Sequence, residues 1–150
     1  MKTEISGRLE GIDHVFPVRV YYEDTDAAGI VYYANYLRFA ERARTEMVRL
    51  TGGEGACVGE DGVRVAFAVR HCTADYRRPA KLDDLLNLRT RIRRVHGASL
   101  DMEQMVMRGD EELVSIYVKL ACLSHEGKPA RLPVGLKQRL LSFTIDQQQD

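Results

Sequence analysis

The chain has 150 residues, 45% of them hydrophobic and 29% charged, and its 22 basic and 22 acidic side chains balance to a formal net charge of zero. That length suits one domain with a sizeable core, and the composition excludes wholesale disorder. The charge balance lacks the basic excess of nucleic-acid-binding domains and puts no net repulsion in the way of self-association.

Residues 1–14 are polar, carry Gly7 and Gly11, and read as a flexible N-terminal arm. They lack the apolar core of a signal peptide, and no apolar run approaches the roughly 18 residues that span a bilayer. Val15 to Tyr22 is rich in β-branched and aromatic residues, with Pro17 near its start, and predicts a strand. Residues 23–32 form an acidic, glycine-containing turn. A helix is predicted from near Ala34 to Thr51, stopped by Gly52 and Gly53. Tyr36, Ala40, Ala43, Met47 and Leu50 recur at three- and four-residue steps and give it one apolar stripe.

Gly52 to Gly62 is a glycine-rich connection, after which the period becomes two. Val63, Val65, Phe67, Val69 and His71 lie on one face of a strand ending near Tyr76. Arg77 to Asp84 turns around Pro79. Leu86, Leu88, Thr90 and Ile92 then oppose Arg89, Arg91 and Arg93. After a turn at His96 to Ala98, Leu100, Met102, Gln104 and Val106 form an inner face, with Asp101 and Glu103 outward. Placing Val95 opposite Ser99 sets Arg93 across from Asp101 and Arg91 across from Glu103. Such pairs stabilise by about 0.2–1 kcal/mol each. Gly109 and Asp110 turn the chain into a last long strand, on which Val114, Ile116, Val118, Leu120 and Cys122 alternate. A basic loop at residues 124–133 leads to a short helix over 134–143 and a frayed tail, 144–150.

One strand, one long helix and four consecutive antiparallel strands imply an α+β fold. A curved antiparallel sheet wraps the helix in a single domain over residues 15–143. A doubly wound parallel sheet would need alternating helices and is excluded. Cys57, Cys72 and Cys122 are odd in number and form no CxxC, which predicts free thiols in a reducing, cytoplasmic compartment.

Glu23, Asp24 and Asp26 crowd the turn before the helix. A solvated turn is the plainest reading. A calcium loop fits only the first half of its pattern: position five is Ala28, and position twelve is Asn35 instead of glutamate. A third reading is catalytic. A carboxylate acts as general base or nucleophile beside a helix start whose free N–H groups polarise a carbonyl. Tyr33 occupies the cap position and cannot fold back to cap as Ser or Asp would. Asn35 capping a helix that starts two residues later is the alternative. Gly29 permits close backbone approach to a substrate. The histidines show no paired metal spacing, and no serine-hydrolase elbow occurs.

The stretch RVYYEDTDAAGIVYYANYLRFAERARTEM resembles the signature of the 4-hydroxybenzoyl-CoA thioesterase group of hotdog-fold proteins, and among these most resembles the Tol-Pal-associated acyl-CoA thioesterases. The likeness is dense over residues 18–50 (Arg19-Val20, Thr25-Asp26, Gly29-Ile30-Val31, Ala34-Asn35-Tyr36) and continues more weakly through DYRRPAKLDD to about Pro133. It implies a hotdog fold and hydrolysis of an acyl-CoA thioester to free CoA and a carboxylic acid. By the same resemblance Asp26 is the catalytic carboxylate, as base or nucleophile, and the Tyr33 amide polarises the thioester carbonyl. Some relatives carry histidine at that position, where this chain has tyrosine.

The resemblance further implies no metal or other cofactor, CoA being part of the substrate. It implies a homodimer or dimer of dimers (a homotetramer) with sites between subunits. For the CoA nucleotide it points to the turn at His96 to Ser99 and the loop at Lys128 to Arg131, making Ser99, Lys128 and Arg131 binding candidates beside Gly29. Basic side chains there would meet the phosphates of CoA. An adaptor or acyl-binding role in an envelope-associated Tol-Pal complex, with weak hydrolysis, is the alternative function.

Overall fold

The computed structural model describes residues 4–52, 57–59 and 61–144. Its organising element is helix α1, Tyr33–Gly52. Ala34, Leu37, Arg38, Ala40, Glu41, Arg42, Ala43 and Arg44 are strong helix formers, with no β-branched residue before Thr45. Tyr36, Phe39, Ala40, Ala43 and Met47 are buried along one face, as the three- and four-residue period requires. Burying Phe39 or Met47 stabilises the fold by about 1.5–3 kcal/mol each.

That face is covered by a six-stranded antiparallel sheet. Its strands are β1 (Arg8–Glu10), β2 (Asp13–Arg19), β3 (Val65–Tyr76), β4 (Leu85–Val95), β5 (Ser99–Arg108) and β6 (Glu111–Ser124), in spatial order β1-β2-β4-β5-β6-β3. The inner positions of β4 and β6, from Leu86 to Ile92 and from Val114 to Cys122, are buried in the predicted alternation. A short helix α2, Val134–Leu141, closes the core with Leu136 and Leu140. Gln104 is fully buried on β5 and donates to the Ala40 carbonyl at 2.9 Å and to Thr90 Oγ1 at 3.0 Å. It accepts from Arg44 Nη1 at 2.9 Å, so the sheet is tied to the middle of the helix by bonds as well as by packing.

The structure corrects the sequence reading in four places. Residues 4–14 are not a loose arm. Residues Glu4–Ser6 form a 3-10 turn, and β1 pairs with β2. Their polar side chains are partners for the outer face of β4: Asp13 takes a bidentate bond from Arg91 at 2.8 and 2.9 Å, and Glu10 pairs with Arg89 at 3.0 Å. The arginine row is therefore neutralised largely from this segment.

The second correction is register. Arg91 does lie opposite Glu103, but a bulge at Arg93 puts Arg94 opposite Asp101 and Val95 opposite Leu100. Asp101 instead bonds His96 Nε2 at 2.9 Å, and Arg93 reaches Glu103 at 3.0 Å. The third is that β2 ends at Arg19, short of the predicted Tyr22, because Tyr22–Asp24 forms a second 3-10 turn. The fourth is β3. Val69 and His71, predicted on an inner face, are exposed: β3 is an edge strand, and a bulge between Val69 and His71 breaks its alternation.

Thr144 is buried, its hydroxyl donating to the Leu140 carbonyl at 2.8 Å. The remainder of the expected frayed tail and part of the glycine-rich connection lie outside the described residues. Among the described residues the three cysteines are free, and no helix is long and apolar enough to cross a membrane.

Candidate active site

Asp26 sits at the head of a tight reversal between β2 and α1. Its N–H donates to the Ile30 carbonyl at 2.9 Å, and its carbonyl accepts from the Gly29 N–H at 3.0 Å. Gly29 holds φ +80, a conformation L side chains rarely adopt, and a Cβ there would meet nothing within 4 Å. Thr25 bridges to Val31, which closes the turn. The side chain follows the backbone: Asp26 Oδ1 accepts from the Ala28 N–H at 2.9 Å, fixing the carboxylate plane while the residue stays exposed. One oxygen is thereby anchored and the other is left for a ligand.

The other two acids of the cluster differ. Asp24 spends its carboxylate on its own turn, Oδ2 accepting from the Tyr21 N–H at 2.8 Å. Its carbonyl accepts twice, from the Tyr32 N–H at 3.0 Å and from Asn35 Nδ2 at 2.9 Å. Glu23 is exposed in the same 3-10 turn.

The helix begins at Tyr33, and Asn35 lies inside its first turn, so Asn35 does not cap a later start. The Tyr33 N–H finds no acceptor among the described residues. A free amide at the positive end of a twenty-residue helix is suited to a developing oxyanion. Tyrosine rings gather around that start. Tyr33 lies 5.0 Å from Tyr32 and edge-on to Tyr76 at 5.9 Å, and Tyr76 stands 5.8 Å from Tyr36. Burial pushes the Tyr36 and Tyr76 hydroxyls above the ordinary tyrosine range, which keeps both neutral.

The loop before β4 backs the turn. The Val31 N–H donates to the Ala80 carbonyl at 2.8 Å, the Ala80 N–H donates to the Tyr36 hydroxyl at 2.9 Å, and Ile30 bridges to Lys81. Asp84 holds that loop, accepting from the Lys81 N–H at 3.0 Å and from Arg108 Nη1 at 2.7 Å. Burial alone would raise the Asp84 pKa. The bonds from Lys81 and Arg108 outweigh it and hold the carboxylate below its usual range.

Asp26, Gly29 and Tyr33 are thus brought together at the end of the sheet where β4 begins. Ser99, Lys128 and Arg131 are brought together elsewhere. Ser99 opens β5 opposite Ala121, and its carbonyl accepts from the His96 N–H at 2.8 Å. Arg131 reaches over Gly97, its Nη1 lying 3.7 Å from where a Cβ would stand, and the Leu132 N–H donates to the Gly97 carbonyl at 3.0 Å. Lys128 is exposed and pairs with Glu126 at 3.7 Å. This cluster lies where β4 and β6 end, with the eleven residues of β4 between it and the Asp26 end. At about 3.3 Å per residue that strand is at most roughly 35 Å long.

Sequence reasoning missed Asn35 as an anchor, and it missed Tyr76 and Asp84. Asn35 carried a signal, a polar side chain one residue before the first stripe position, Tyr36, and four before the apolar Phe39. Tyr76 carried none, because its neighbourhood depends on where β3 pairs.

The sequence model of the thioesterase superfamily matches residues 28–115. The chain is 46% identical over 123 residues to the acyl-CoA thioesterase YbgC of Haemophilus influenzae, covering 81% of this chain and 90% of that protein. It is 45% identical over 121 residues to the acyl-CoA thioester hydrolase YbgC of an Escherichia coli strain, covering 79% and 88%. A probable thioesterase from Bartonella henselae superposes with a TM-score of 0.75 at 45% identity, covering 81% of this chain and 99% of that one.

Proposed function

Because this chain belongs to the thioesterase superfamily and is an acyl-CoA thioesterase of hotdog fold, we propose that Asp26 and the Tyr33 amide are its reacting groups. The observation that carries this reading is the Asp26 turn. It presents an oriented carboxylate seven residues before a helix start whose first N–H has no acceptor among the described residues. The thioester carbonyl oxygen accepts from the Tyr33 N–H, so the charge that develops there is met by the amide and by the helix dipole.

Asp26 either takes a proton from the attacking water or attacks the carbonyl to form an anhydride that water then opens. In both routes the C–S bond breaks and the CoA thiolate leaves and is protonated. The acyl group departs as a carboxylic acid. The reading needs no metal or separate cofactor. Label found in Asp26 after a single turnover in water carrying the heavy oxygen isotope establishes the anhydride route, with water opening the anhydride at the aspartyl carbonyl.

Asp26→Asn is expected to lower kcat by about 100- to 10,000-fold, the span of a general base. Asp24→Asn is expected to do far less, because an asparagine oxygen still accepts from the Tyr21 N–H. A thiol-release assay over acyl-CoAs of several chain lengths reads both, and the reverse ranking overturns the assignment.

The same reading makes the enzyme a homodimer, alone or paired into a tetramer. Two observations support it. The twelve-residue edge strand β3 is exposed along nearly its whole length, with Val69 51% and Tyr76 41% accessible. A long open edge of this kind is a template for pairing with another strand. Secondly, the CoA candidates lie far from Asp26 within one chain. Antiparallel pairing of β3 with its copy about a two-fold axis brings the Val65 end of one subunit beside the Tyr76 end of the other. The Val65 end carries the loop with Lys128 and Arg131, since Val65 pairs with Ser124. Ser99, Lys128 and Arg131 of one subunit then hold the nucleotide of a substrate whose thioester lies at Asp26 of the other, with Gly29 against the ligand.

The compartment this reading favours is the cytoplasm. The adaptor reading, with an envelope-complex partner, is tested in the same assay: no turnover on any acyl-CoA, with envelope proteins recovered in a pull-down, would replace the enzyme.

A further inference from the structure

Two adjacent side chains on the first turn of α1 reach in different directions, and each holds one end of the Asp26 turn. At the entry, Asn35 Nδ2 donates to the Asp24 carbonyl at 2.9 Å, beside the Tyr32 N–H at 3.0 Å. At the exit, the Tyr36 hydroxyl accepts from the Ala80 N–H at 2.9 Å, and the Ala80 carbonyl accepts from the Val31 N–H at 2.8 Å. Arg108 steadies Ala80 from behind, donating to the Pro79 carbonyl at 3.3 Å and to Asp84. Both Asn35 and Tyr36 are buried.

Asparagine is a poor choice for helix stability at a buried position in a first turn. It lowers helix propensity relative to leucine, and its amide must be satisfied. What it adds is a donor of the right length to reach back across Tyr32 and Tyr33 to the Asp24 carbonyl. A local choice that opposes intrinsic preference marks a functional constraint.

We propose that Asn35 is a positioning residue for thioester hydrolysis, fixing the Asp26 carboxylate relative to the Tyr33 amide from the entry side of the turn. The proposal rests on the Asp26 and Tyr33 reading above. Asp24 is two residues from Asp26, and Asn35 two residues from Tyr33. The bond between them, beside the Tyr32 N–H bond to the same carbonyl, therefore ties the segment that carries the base to the helical turn that carries the oxyanion donor. Losing it leaves both reacting groups present but loosens their relation, and reaction rates depend steeply on such geometry.

In the full chain, Asn35→Ala is expected to lower kcat by about 10- to 100-fold with KM within about twofold. On an Asp26→Asn background the same change is expected to leave the residual rate within about twofold, because a residue that acts through Asp26 has nothing left to position. Equal losses in the two backgrounds, or an unchanged kcat in the single variant, would overturn the proposal. Asn35→Asp keeps the size and loses the donor, and gives the same split should the alanine variant fail to fold.

If Asp26→Asn itself keeps its activity, the Asp26 reading fails on its own account. Asn35 is then judged by amide exchange. Faster exchange at the Asp26 and Tyr32 N–H groups in Asn35→Ala supports the anchor, and unchanged exchange removes it.

Discussion

His14 is a neutral imidazole sealed into the seam between the N-terminal segment and the rest of the molecule. It is fully buried, its Nε2 lies 2.7 Å from the Ser6 carbonyl, and its Nδ1 has no partner. Burial lowers its pKa, and the Ser6 bond and the charge of Glu46 on α1 only partly oppose that. A histidine whose folded pKa lies below its unfolded value binds protons more readily in the unfolded chain. Its contribution to stability is complete above about pH 6.5 and is lost as pH falls through the folded value. Relative to His14→Gln, the wild-type chain is therefore expected to lose unfolding free energy steadily below that pH, as denaturant midpoints taken between neutral and mildly acidic pH would show. A flat difference between the two proteins would mean that His14 binds protons equally in the folded and unfolded chains. Asp84 shows the same sign, but its pKa is held below the ordinary carboxylate value, so its window lies at lower pH and the two separate. At this scale the sequence made the Asp26 turn legible, because acids, a glycine and a helix start fall within a few residues. It left His14 without a role beyond lacking a metal spacing, since nothing local says that Ser6 folds back over it.

Strand β3 shows what periodicity can and cannot carry. Alternation placed Val65 correctly in the core, and it placed the faces of β4 and β6 along their whole inner rows. It failed at Val69 and His71, where the bulge shifts the register, and again at Arg93, where another bulge moves Asp101 out of the predicted pair. A bulge adds a residue to one strand without changing the composition of either, so the sequence pattern does not register it. The exposed stretch that results has a consequence for assembly. Val69→Asp puts a charge in the middle of the free edge, a device that proteins use to prevent edge pairing. Its expected effect is to weaken the proposed dimer by about tenfold or more while far-UV circular dichroism stays as in the wild type, because Val69 lies outside the buried core of its own subunit. Sedimentation would show the weaker association. Specific activity should then fall on dilution in the variant at concentrations where the wild type holds constant. An activity independent of concentration in a monomeric variant would detach the edge from the site.

At the scale of the whole molecule, one chain carries the Asp26 turn at one end of its sheet and the Ser99, Lys128 and Arg131 cluster at the other. The sequence supplied both groups through resemblance, but their separation follows from the strand order, in which β3 crosses to the far edge and leaves Tyr76 beside the helix start. Two arrangements are compatible with acyl-CoA hydrolysis: a site within one subunit that uses other residues for the nucleotide, or a site shared across the β3 edge. They differ in a mixing experiment. With a shared site, Asp26→Asn and Arg131→Ala homodimers are each impaired at both sites, for different reasons. After subunit exchange, a heterodimer has one site with both lesions and one with neither if the site is shared. Random reassortment then makes half of the dimers mixed, and each mixed dimer restores one of two sites, so about a quarter of wild-type activity is expected to reappear. If each site lies within one subunit and uses other residues for the nucleotide, Arg131→Ala carries no lesion, and mixing leaves activity at the average of the two parents. The recovery must also vanish when Val69→Asp is placed in both chains, since only paired edges can bring the intact halves together.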